Sequence, residues 1–167
     1  MNTDTRNLTD LMAQAVDTCT AHVEAGGLPF IGVLVNPAGE PASGFGANRV
    51  AESGDQTAHA EIVAMRDALT RHNLDSLDGH ILLATGEPCG LCYRYALDHG
   101  VTRIHVAVDR DDVAEFGFDY RASYRAFGVT DTTRDRLYRH LPVPRGGEPF
   151  TRYLTLQHSP EPKGTSS

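Results

Sequence analysis

Residues 80–108, HILLATGEPCGLCYRYALDHGVTRIHVAV, constrain the fold more than any other stretch of the chain. An apolar run, HILLAT, is followed by a helical stretch that Pro88 opens and Gly100 closes, and a second apolar run, VTRIHVAV, completes the unit. Proline is best tolerated at a helix start, and glycine ends helices. Strand, helix and strand in succession call for a sheet with a helix laid across it. Two thiols, Cys89 and Cys92, fall on the first turn of that helix.

The flanking segments extend the pattern. Leu8, Leu11, Met12, Ala15, Val16, Cys19 and Val23 recur at helical spacing before Gly26-Gly27, which predicts a first helix with Cys19 in its core-facing stripe. LPFIGVLV (28–35) reads as a buried strand, NPAGEPAS as a turn and GFGANRV (44–50) as an antiparallel partner. TAHAEIVAMRDALTRH sets Ala58, Ile62, Met65 and Leu69 on one helical face, so His59 and Glu61 enter the first turn of a second helix. After Val108, the stretches DDVAEFG, RASYRAFG, TTRDRLYRH and PFTRYLTLQH carry short helical patterns between Pro and Gly breaks. The order of elements predicts an α/β fold, a three-layer α/β/α sandwich around a mixed sheet. A chain of 167 residues, 40% hydrophobic, suits one domain over residues 1–158, with SPEPKGTSS (159–167) as a frayed tail.

Charge narrows the partners. The chain carries −7 overall, with 7 basic and 18 acidic residues up to Tyr120 and 8 basic and 4 acidic beyond it. The basic remainder reads first as a solvated face, with an RNA-binding patch and a surface that meets an acidic one on a second subunit as the alternatives. With a single lysine, Lys163, the chain offers little of the positive footprint that nucleic-acid phosphates require. No apolar run has membrane-spanning length and the N-terminus has no secretory pattern, so a cytoplasmic protein is expected. In a reducing compartment the Cys89/Cys92 pair points to metal or redox chemistry rather than a disulfide.

Both helix starts, Thr57 to Glu61 and Thr85 to Cys92, are expected at the carboxyl ends of neighbouring strands. His59, Cys89 and Cys92 then supply three zinc ligands, because Cys at i and i+3 share one side of a turn and the His faces them. Three protein ligands leave one position for water, whose pKa such a metal lowers to about 7. Glu61, two residues from His59, would reach that water as general acid and base. Taken singly, the same residues have plainer readings. The thiols could be structural, a zinc clip or a redox pair, His59 a core histidine, Glu61 a helix-dipole charge and Asn48 a turn residue.

TAHAEI followed by TGEPCGLC resembles the H-A-E and P-C-x-x-C signature of the cytidine/nucleobase deaminase superfamily. LPFIGVLV, GANRV, TAHAEIVAMRDA and DDVAEFGFDYRASYRAF look most like bacterial guanine deaminases, from the first helix through Phe127. The resemblance implies a five-stranded mixed sheet, zinc on His59, Cys89 and Cys92, and proton transfer by Glu61. It also implies a base held by Asn48 and the Ala60 N–H, walls from Phe30, Phe118, Asp119 and Tyr120, and homodimers that often exchange C-terminal segments. Such an enzyme would hydrolyse the exocyclic amine of a free nucleobase or related heterocycle and release ammonia. Tyr120 departs from the pattern, standing where a second acidic residue is usual after Gly-Phe-Asp, as do Gly90 and Leu91 between the thiols. These departures widen the candidates from guanine to triazine, isocytosine-like and modified bases. The rival readings are a tRNA adenosine deaminase, a cytidine deaminase and a non-catalytic zinc-stabilised scaffold.

Overall fold

The strand–helix–strand unit forms the centre of the molecule, and a computed structural model of the chain describes it within residues 2–158. The tail assigned to residues 159–167 lies outside the described residues. In chain order the elements are α1 (Asn2–Glu24), β1 (Ile31–Val35), β2 (Gly46–Ala47), α2 (Val50–Ser53), α3 (Ala60–Arg71), β3 (Ile81–Gly86) and α4 (Gly90–Asp98). There follow β4 (Arg103–Val108), α5 (Arg110–Glu115), α6 (Ala122–Ala126), α7 (Asp131–Leu137), β5 (Tyr138–His140) and α8 (Glu148–His158).

The sheet is five-stranded and mixed, in the order β2-β1-β3-β4-β5. β3 and β4 are parallel, with Leu82 opposite Ile104, and β5 continues parallel to β4. β1 runs antiparallel to both of its neighbours, with Ile31 opposite Ala47 and Gly32 opposite Ala84. Alternation along each strand divides the core. Leu82, Ile104 and Val106 pack against Ile62 and Met65 of α3 and Tyr93 and Ala96 of α4. Leu83, Val33 and Val35 turn to the other face and pack against Met12 and Val16 of α1 and Phe150 of α8. Two helical layers thus enclose the sheet, as the sequence pattern predicts. The α1 stripe is well sealed: Met12, Ala15 and Cys19 have no solvent exposure, and each large side chain of this kind contributes about 1.5–3 kcal/mol.

Several boundaries differ from the sequence reading. α1 begins at Asn2, β1 begins only at Ile31, β2 shrinks to two residues and α2 was not foreseen. TTRDRLYRH, read as helical throughout, turns into β5 at Tyr138, because Leu137 is buried in the core while Tyr138 to His140 lie beside the open edge of β4. The strands that feed the two helix starts, β2 and β3, are not neighbours, since β1 lies between them. This correction matters for the site. Because β1 runs the opposite way, its beginning lies beside the ends of β2 and β3 and brings Phe30 to the same rim.

Candidate active site

α3 and α4 begin side by side at that rim, and their N-cap residues are His59 and Cys89. Neither side chain caps its own helix. A capping side chain folds back onto the helix amides, whereas these two point at each other across the gap. Cys92 follows in the first turn of α4, fully buried. Pro88 stands one residue before the N-cap rather than inside the helix. Two glycines allow the crowding. A Cβ on Gly46 would lie 2.6 Å from the Ala60 carbonyl oxygen, and one on Gly90 would lie 2.2 Å from that of Ser123.

The ligand atoms fit a tetrahedral ion. His59 Nδ1 lies 3.5 Å from Cys89 Sγ and 3.5 Å from Cys92 Sγ, and the sulfurs are 3.9 Å apart. A tetrahedron with zinc–sulfur bonds of about 2.3 Å and zinc–nitrogen bonds of about 2.0–2.1 Å has edges of about 3.8 Å between sulfurs and about 3.6 Å between sulfur and nitrogen. These three residues are the His/Cys/Asp/Glu group able to hold a metal among the described residues. Charge agrees with geometry. The hydrogen bond with Cys92, helped by His59, pulls the Cys89 thiol down to about 4, while burial holds the Cys92 thiol well above its ordinary range. One thiolate is thus stable unaided, and a dication would draw off the second proton. The backbone of Gln56 hydrogen-bonds the His59 ring, which orients it as metal-bound histidines require.

Glu61 sits in the first turn of α3, 4% exposed, with Oε1 3.5 Å from Cys92 Sγ. Burial, followed by the negative Cys89, pushes its carboxyl up to about 7. It lines a cavity of about 340 Å³ together with His59, Cys89, Ala60, Asn48, Phe30, Phe118 and Tyr120. Asn48 serves the turn as well, since its Oδ1 accepts the Val50 N–H at 3.0 Å. Asp119 is the exception among the expected wall residues. Phe118 and Tyr120 turn inwards, so the residue between them turns out, is exposed and pairs with Arg121 at 2.8 Å. Leu28, Leu91, Ser123 and Phe127 also line the cavity. Leu91 stood out in the sequence only as a departure between the thiols, and nothing there distinguished Leu28, Ser123 and Phe127 from ordinary loop or helix residues.

Sequence reasoning also missed the fastening of the thiol loop. Glu87 has no solvent exposure, yet it accepts bonds from Tyr93 Oη (2.7 Å), the Arg110 N–H (2.8 Å) and Arg134 Nε and Nη2 (2.5 and 2.9 Å). The carbonyls of Glu87 and Pro88 accept the hydroxyls of Tyr120 and Tyr124, and the Gly90 N–H donates to Ser123 Oγ at 2.7 Å. The segment around α6 thus holds the backbone that carries both thiols. The signal available was the Glu-Pro before the first cysteine, an acid set directly behind an apolar run.

A helix-covered mixed sheet, paired helix starts with His and two Cys, and a buried carboxyl beside them define a class. Residues 5–108 match the family model of the cytidine and deoxycytidylate deaminase zinc-binding region, and the chain belongs to that family of zinc-dependent deaminases. Over 151 residues it is 34% identical to the guanine deaminase of Bacillus subtilis (strain 168), covering 90% of this chain and 96% of that one. The structure of a guanine deaminase from Nitrosomonas europaea superposes with a TM-score of 0.71 at 24% identity, over 85% of this chain and 81% of the other. A further relative, solved in complex with 2,6-diaminopurine, superposes with a TM-score of 0.67 at 23% identity, over 85% of this chain and 78% of its own. The chain is a guanine deaminase-like zinc enzyme.

Proposed function

We propose that the enzyme deaminates a free, phosphate-less aminated base, with a guanine-type purine as the first candidate. One observation carries this: among the described residues, no Lys or Arg lines the cavity in front of Glu61 and the ligand triad, so none of them there matches a nucleotide phosphate. The same absence weighs against a tRNA substrate. The length-wide likeness to a guanine deaminase, and a relative that holds a diaminopurine, support a purine over a pyrimidine.

In this reading His59, Cys89 and Cys92 would hold a zinc ion, whose Lewis acidity would make water acidic at neutral pH. Glu61 takes a proton from that water, whose oxygen bonds to the aminated ring carbon. Glu61 then gives the proton to the ring nitrogen, and the second water proton leaves with the amine as the carbon–nitrogen bond breaks. Amine and water become carbonyl and ammonia with no redox partner. A carboxyl that burial raises above its ordinary range suits a group that must both take and give a proton. Asn48 Nδ2 and the Ala60 N–H at the start of α3 are the donors for the base, and Phe30, Phe118 and Tyr120 its walls.

Glu61→Gln should retain its zinc and its melting temperature and lose ammonia release by about 10²–10⁴-fold. Full activity in that variant would end the mechanism. We further propose that residues 1–158 act as one deaminase domain, as a cytoplasmic homodimer. The unpaired thiols support a reducing compartment, and no described helix is long and apolar enough to cross a membrane. α8 packs on α1 of its own chain after the Pro- and Gly-containing stretch 141–147, a natural hinge for exchange between subunits. Sedimentation at the monomer mass would remove the dimer.

A further inference from the structure

The cavity is lined mainly by apolar residues, and the side-chain oxygens of Tyr120, Ser123 and Asn48 on its wall each already hold a partner in the protein. Tyr120 donates its hydroxyl away from the cavity to the Glu87 carbonyl, leaving its ring as wall. Ser123 Oγ accepts from the Gly90 N–H at 2.7 Å and donates to the Tyr120 carbonyl at 2.6 Å. Asn48 Oδ1 accepts the Val50 N–H at 3.0 Å, which turns that oxygen towards the α2 turn. Glu61 and His59 belong to the proton shuttle and the ligand triad. The remaining lining residues are Leu28, Phe30, Leu91, Phe118 and Phe127, with Cys89 of the ligand triad and Ala60 at the start of α3. Phe30 packs edge-on to Phe118 at 5.3 Å between centroids, so this wall is supported from behind.

An unsubstituted purine carries ring N–H donors as well as its amine. A donor buried without an acceptor costs the whole of its hydration and weakens binding by about tenfold or more. Capping that nitrogen with a methyl group reverses the sign, because the cap has no hydration to lose and gains contact with the aromatic wall. We infer that the site selects aminated heterocycles bearing an alkyl group on a ring nitrogen over the parent base, and that Tyr120 and Phe127 are the specificity-determining residues. Tyr120 does so by withdrawing its oxygen from the cavity, and Phe127, 40% exposed at the rim, by covering the cap. This inference rests on the deaminase reading above.

The test is ammonia release by the zinc-loaded enzyme from guanine, 7-methylguanine and 9-methylguanine, each paired with equilibrium binding of the same bases to Glu61→Gln. At least one methylated base should exceed guanine in kcat/KM by tenfold or more and bind Glu61→Gln more tightly by a similar factor. Tyr120→Asn, which offers an amide oxygen, should shift the ratio towards guanine by at least tenfold. Phe127→Ala, at an exposed position that does not threaten folding, should cut the ratio of methylated base to guanine several-fold in both kcat/KM and binding. Guanine preferred in both measurements, or a ratio that neither variant moves, overturns the inference. Methyl-selective binding without ammonia from any base would leave the selectivity standing and sink the deaminase reading instead. Absence of both binding and turnover would overturn the two together.

Discussion

Glu87 is a carboxylate with no access to water, and such a group is tolerated only while its partners remain in place. Arg134→Met removes two charge-assisted bonds and strands the charge, so unfolding by urea should show a loss of about 3–5 kcal/mol. Arg134→Lys, which keeps the charge but not the fork, should fall between. His105 makes the opposite case. It points to the α1 side of β4, its Nδ1 has no hydrogen-bond partner among the described residues, and burial, aided by Arg139 and Arg103, lowers it from 6.5 to about 4. Above pH 6.5 it is neutral folded or unfolded; below that the unfolded chain takes the proton first, so stability drains away as pH falls towards 4. Denaturation curves of His105→Gln over that window should fall less steeply than those of the wild type. At this scale the sequence told most where spacing carries chemistry: His59, Glu61, Cys89 and Cys92 could be picked out because two helix starts display them. It told least where partners are distant, since nothing in the sequence around Glu87 names Arg134. It misled at Asp119, where strict alternation turned the acid outwards.

The elements were foreseen where their patterns are long and were misjudged where they are short. The α1 stripe and the β3–α4–β4 unit have periodicity enough to be read directly, whereas β5 is three residues long and owes its existence to the edge of β4. β2 is shorter still, and its place is set by what lies over it. The start of α3 comes so near Gly46 that an added methyl would meet Ala60 O at 2.6 Å and Ala64 N at 2.7 Å, both backbone atoms that cannot swing aside. Gly46→Ala should therefore lift the helix start that bears His59 and Glu61. Its expected signature is a loss of about 1–3 kcal/mol in thermal or chemical unfolding, with a weakened hold on zinc in chelator competition. A substitution at Gly39, where an added Cβ meets nothing, should leave zinc binding alone, although its φ of 87° carries its own strain.

Across the whole molecule, the metal ligands and their fastening come from different parts of the chain. The family match ends at residue 108, by which point His59, Cys89 and Cys92 have all been supplied. Arg110, Tyr120, Ser123, Tyr124 and Arg134, which hold the loop between β3 and α4, all come later. Synthesis runs in the same direction. A nascent chain thus displays its complete set of zinc-binding atoms well before it possesses the parts that keep them in register. Until the last of those helices docks, the loop that bears the thiols lacks the contacts that keep it in register.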